Sequence, residues 1–137
     1  MLRTLLVIAC LVIAAPAAAQ PASADPPTAL AQAFFSTLKS GDALKAYGDV
    51  WRDTMMSKRQ ADLENIANQT ESSLKIYGKI SDWQLIKENK VSKDFIESVY
   101  IVRTEQVPLF FKFQFYHAPA KWVATNISFT DTYKNVE

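Results

Sequence analysis

Cysteine occurs once in the 137-residue chain, at Cys10, inside an apolar stretch near the N-terminus. Beyond it the chain has no disulfide, no cysteine metal site and no cysteine nucleophile, so its fold rests on packing alone. Histidine also occurs once, at His117. A lone imidazole with no Cys, Asp or Glu close in sequence lacks the setting of a metal site, and Ala118-Pro119 beside it favours a turn. No metal and no cofactor is expected. An excess of either charge is missing too: with Arg3 set aside, the basic residues balance the 14 acidic ones. No basic run stands out, so composition gives no support for nucleic acid or an anionic membrane surface. After Pro27 there is no internal repeat, low-complexity segment or sign of a second domain.

What is present begins with a leader. Arg3 precedes an apolar run over residues 5–15, Pro16 breaks it, and two small-x-small sites follow, Ala17-Ala18-Ala19 and Ala22-Ser23-Ala24. This is the layout of a secretory signal peptide, and the run is short for a membrane span. Residues 1–24 are assigned to it, with cleavage before Gln20 or Asp25. Too few apolar residues precede Cys10 for a lipoprotein box. The alanine-rich leader points to a bacterial periplasmic or secreted protein with no stable membrane anchor after cleavage. Residues 25–137 are enough for one domain.

Three helices open that domain. Asp25 or Thr28 can cap the first, with proline in its first turn. Its stripe is Leu30, Ala33, Phe34, Thr37 and Leu38. Gly41 stops it and Asp42 can cap the second, where Leu44, Tyr47, Gly48, Trp51 and Met55 share a face. Ser57 and Gln60 have capping-box spacing for a third. Its stripe is Leu63, Ile66, Ala67, Thr70, Leu74 and Tyr77, closed by Gly78, and its polar stretch QTESS favours fraying of the last turns.

Four strands follow. Residues 80–88 and 95–105 alternate imperfectly, as central strands covered on both sides do, with a polar turn over residues 89–94. The closing hairpin is VPLFFKFQFYH and KWVATNISFTD. Along a strand, alternate residues share a face. Val107, Leu109, Phe111, Phe113 and Phe115 therefore face the core together with Val123, Thr125, Ile127 and Phe129. Pairing Phe115 with Val123 and Leu109 with Phe129 joins the two apolar sets, which requires an odd loop over residues 118–120 or 117–121. The other face then carries Tyr116 beside Trp122, with Phe110, Lys112 and Gln114 near them. The expected architecture is α+β: three N-terminal helices packed on an antiparallel sheet of about four strands.

FFSTLKSGDALKAYGDVW, IYGKISDWQL and KWVATNISF resemble, in pattern and order, the opening, the helix-to-sheet passage and the closing hairpin of the nuclear transport factor 2-like superfamily. The resemblance covers most of the chain after Pro27. It implies a cystatin-like cone, a curved sheet wrapped around helices, often with a pocket at the wide end. It departs from the longer members in having no clear strand between the second and third helices. Members include ketosteroid isomerase-like enzymes, ligand binders and dimerisation modules, so the fold sets no function.

Candidate sites divide by face. An interior pocket would be lined by Tyr47, Trp51, Tyr100 and Phe113 and would suit a small apolar ligand, unless these groups fill the cone as close packing predicts. For catalysis, Tyr47, Asp49 and Tyr100 are the nearest acid–base candidates, but no catalytic motif aligns with them, and no catalytic residue is assigned. On the outer face Phe110, Lys112, Tyr116 and Trp122 have the residue types of a contact surface. The function expected is a non-catalytic binding module that self-associates or holds a periplasmic partner protein. The alternative is an apolar-ligand binder or isomerase-like enzyme using the cone.

Overall fold

The computed structural model describes residues 25–136, so the leader and Cys10 lie outside the described residues. Three helices, α1 (Pro26–Lys39), α2 (Ala43–Val50) and α3 (Gln60–Tyr77), precede four strands, β1 (Asp82–Ser92), β2 (Phe95–Arg103), β3 (Leu109–His117) and β4 (Trp122–Thr130). Short 3₁₀ turns occupy Met55–Lys58 and Tyr133–Asn135. The strands pair in sequence order, β1-β2-β3-β4, all antiparallel. The α+β order read from the sequence is the order observed.

The helices begin and stop largely where their chemistry dictates. Proline sits at the start of α1, although Asp25 makes no side-chain cap bond. Gly41 turns the chain with φ of 95°, a left-handed conformation that costs glycine no steric penalty. The Asp42 carboxylate then accepts the Lys45 N–H at 2.8 Å and starts α2. The capping box at Ser57 does not form. Thr54 instead caps the 3₁₀ turn, and α3 starts at Gln60 without a side-chain cap.

The helix faces need correction in two places. In α1 the buried set is Pro27, Ala31, Phe34, Phe35 and Leu38, and Ala33 is exposed. The helix is buried on two sides, so its apolar arc is wider than one stripe. In α2, Ala43, Ala46, Tyr47, Val50 and Trp51 are buried, whereas Leu44 is 43% exposed and Met55 83%. Alanines let α2 sit close to its neighbours, and the bulkier residues were the misleading signal. In α3 the expected stripe holds, and QTESS stays helical. Thr70 points inward there, donating to the Ile66 carbonyl and accepting from the buried Tyr47 hydroxyl, both at 2.9 Å.

β1 is an edge strand, not a covered central one. It runs to Ser92, its turn is residues 93 and 94 alone, and Trp83 is its one part-buried side chain. At an edge the polar NKVS stretch can face water on both sides, which is why it extends. β2 is covered as expected, with Ile96, Ser98, Val99, Tyr100 and Val102 buried.

The hairpin register also differs. His117 pairs with Trp122, leaving a four-residue connection, residues 118–121, which is even. An even loop puts Trp122 and Ala124 on the core face. A bulge at Thr125 then shifts the pairing by one residue. Phe113 opposes Ile127 and Phe111 opposes Phe129 beyond it. The parity that the apolar pattern demands is supplied by a bulge rather than by the loop. Thr125 itself is exposed and its hydroxyl donates to the Gln114 carbonyl at 3.1 Å.

The core lies between the helices and one face of the sheet. Phe34 and Phe35 form its centre. Phe34 meets Tyr47 and Phe113 edge-on at 4.9 and 5.4 Å, and Phe35 meets Trp83, Tyr100, Phe111 and Phe113 at 5.3–5.5 Å. On the opposite face Val99, Phe110 and Val136, with Ile101, form a smaller cluster to which no helix of α1–α3 contributes.

Candidate functional site

The interior candidates are brought together, but as packing. Tyr47, Trp51, Tyr100 and Phe113 all belong to the main core and are at most 3% exposed. Phe113 stacks on Phe115 and meets Tyr100 edge-on at 5.7 Å. These side chains fill the space that a pocket would need. Burial pushes the Tyr47 phenol well above the ordinary tyrosine range, with the Thr70 hydrogen bond pulling weakly the other way. A phenol so disposed holds its proton at neutral pH. Burial likewise raises Tyr100, against a hydrogen bond from Thr28. The Trp51 indole N–H is buried without an acceptor among the described residues. Asp49 is away from all of these. Lys45 and Arg52 bond to its exposed carboxylate and, in that order, hold it below the usual range.

The outer-face candidates do not stay together. Because of the even loop, Trp122 lies on the helix side, packed against the main core and stacked on His117 at 4.9 Å. Tyr116 opposes Val123 instead and is 44% exposed. Phe110 is 8% exposed, its ring 5.4 Å from Tyr133, so the chain's own tail covers it. Lys112 does face outward, pairing with Glu97 at 3.1 Å, and Gln114 donates to the same carboxylate at 3.2 Å. Burial pushes the Glu97 carboxyl up, but the Gln114 and Lys112 hydrogen bonds and the Lys112 and Lys87 charges outweigh it and hold it below the usual range.

Two features escaped the sequence. His117 Nδ1 lies 3.3 Å from Asp94 Oδ1, and the His117 N–H donates to the Asp94 carbonyl at 2.8 Å. The partners are joined through the turn after β1, so no local motif announces them. The second is a groove of about 400 Å³ where the ends of α1 and α3 meet the start of α2 and the residues leading into β1. Leu38, Leu74 and Ile80 floor it, and Lys39, Lys75 and Lys79 stand around it. Its sequence signal was the pair of left-handed glycines, Gly41 and Gly78, that stop the two helices. A side chain at position 78 would collide with the Glu105 carboxylate.

Among the described residues no group of three or more His, Cys, Asp or Glu side chains could hold a metal ion. No helix among them is long and apolar enough to cross a membrane. No family model and no curated protein matches the sequence. A crystal structure from Campylobacter jejuni, provisionally described as an NTF2-like transpeptidase, matches this fold with a TM-score of 0.56 at 17% identity, over 73% of this chain and 97% of that one. The fold is therefore NTF2-like (nuclear transport factor 2-like). At that identity the likeness extends to the fold alone.

Proposed function

We propose that this NTF2-like domain is an exported, non-catalytic interaction module that acts through the sheet face turned away from its helices, by self-association or by holding a partner protein. One observation carries the reading. That face bears part-exposed Phe95 and Ile101 and exposed Tyr116 around the Lys112–Glu97–Gln114 cluster, beside Val99 and Phe110, which the tail covers. Apolar and aromatic groups rimmed by polar ones are the usual anatomy of a protein contact. The packed interior supports the same reading, since it leaves no room for a substrate beside the buried phenols. The sequence supports export through its leader.

The test is analytical ultracentrifugation of the mature protein, alone and with periplasmic extract. Tyr116→Glu should convert a dimer or hetero-complex to monomer while leaving the far-ultraviolet spectrum unchanged, because a charge would be buried unpaired in the contact. A wild type that is monomeric at high concentration and binds nothing in extract ends the proposal. N-terminal sequencing of exported material should read from Gln20 or Asp25; an intact Met1 or a modified Cys10 would overturn export by this leader.

A further inference from the structure

The groove between the helix ends has a composition that stability alone does not require. Buried Leu38 and Ile80 and part-exposed Leu74 give it an apolar lining, and the exposed Lys39, Lys75 and Lys79 stand around it. Lys39 and Lys75 lie in the last turns of α1 and α3, where a positive charge complements the helix dipole. The dipole accounts for those two positions but not for Lys79, which follows the end of α3. Lys39 is committed, donating to the Ser81 carbonyl at 2.6 Å. Lys75 and Lys79 make no ion pair with any described carboxylate. Of the two acids at the groove, Glu105 is held by the Lys79 backbone N–H at 3.3 Å, and Glu71 makes no ion pair. The local balance is one net positive charge.

We propose that this groove binds a small amphiphile with a single anionic head, its apolar body on Leu38, Leu74 and Ile80 and a carboxylate-type head at Lys75 and Lys79. The volume lies at the lower end of the range of about 300–1,000 Å³ typical of small-molecule sites, which suits a medium-length chain rather than a whole two-chain lipid. Apolar contact supplies affinity, and the unpaired ammonium groups select the sign of the head. The site is separate from the outer sheet face and stands or falls independently of it.

Isothermal titration of the mature protein with decanoate, below its micelle concentration, tests the inference. Decyltrimethylammonium serves as the cationic probe of equal length and acetate as the head without the chain. Decanoate should bind one to one, the cation at least tenfold more weakly, and acetate not at all. Lys75→Glu with Lys79→Glu should weaken decanoate at least tenfold, Glu71→Gln should tighten it, and Lys58→Glu, elsewhere on the surface, should leave it unchanged. Both lysines are exposed, so the double variant should stay folded, with a melting temperature lowered only slightly by the charge reversal at the end of α3. No decanoate binding, equal binding of the cation, or binding indifferent to the double lysine variant would each overturn the proposal.

Discussion

The two faces of the sheet bury apolar groups in different ways. On the helix side, Phe111 and Phe113, with Phe115 stacked on Phe113, meet Phe34, Phe35 and Tyr47 of α1 and α2 in one core that Leu63 and Ala67 of α3 complete. On the outer side, Val99 and Phe110 are closed over by Tyr133 and Val136 of the tail. The first face is over-determined: Phe34, Phe35, Phe111 and Phe113 each touch three or more other rings. The second depends on one short segment. β3 alternates between the faces, so neighbouring residues on one strand sample two very different packing environments.

Substitutions on opposite faces of the sheet break this comparison most sharply. Phe113→Ala should cost roughly 3–5 kcal/mol, combining lost transfer energy with a cavity that the packed rings cannot close. Trp122→Glu should come next and lower the denaturation midpoint, because it introduces a charge against the main core; if it disrupts association without loss of stability, Trp122 belongs to the outer face after all. Phe110→Ala should cost less than Phe113→Ala, about 1–3 kcal/mol, since the tail can settle into the space. Equal losses at Phe110 and Phe113 in chemical denaturation would mean that the two faces are equally constrained. Lys112→Ala should cost under about 1 kcal/mol.

The smallest effect is one of pH. Glu97 has its carboxyl below the usual range in the folded state, so it binds protons less readily there than when unfolded. Its contribution to stability is complete above the ordinary glutamate range and fades as pH falls through the folded value. Glu97→Gln should flatten the acid limb of a melting-temperature profile slightly.

Much of the helix side was legible because it is written in short-range periodicity. The α3 stripe, the Asp42 cap, the glycine stops and the odd-numbered β3 core residues all follow from spacing within one element. What failed depended on partners distant in sequence. VATNISF contains two apolar phases, and only its pairing with β3 shows that a bulge at Thr125 joins them. The same omission placed Trp122 beside Tyr116, when the chain sets it on His117. The edge position of β1 is a property of strand order, which no alternation within residues 82–92 reveals. The outer-face site was partly legible: Lys112 and Tyr116 point outward as expected, but the tail over Phe110 carries no periodic signal. The groove has none either, because its lining comes from the ends of several elements.

The strictly sequential sheet has a consequence for the order of assembly. Each strand pairs with the one made just before it, so the meander can zip up through contacts close in sequence, which is the fast route. Phe34 and Phe35, by contrast, belong to the first helix and find Phe111 and Phe113 only after the other two helices and two strands have been made. The first helix of the domain is thus among the last elements to be fully buried. Until β3 arrives, two adjacent phenylalanines remain available to any other exposed apolar surface, a hazard of the kind that favours aggregation. On the export route proposed above, that interval would begin again on the far side of the membrane, and Phe34-Phe35 is the segment a holding chaperone would have most reason to grip.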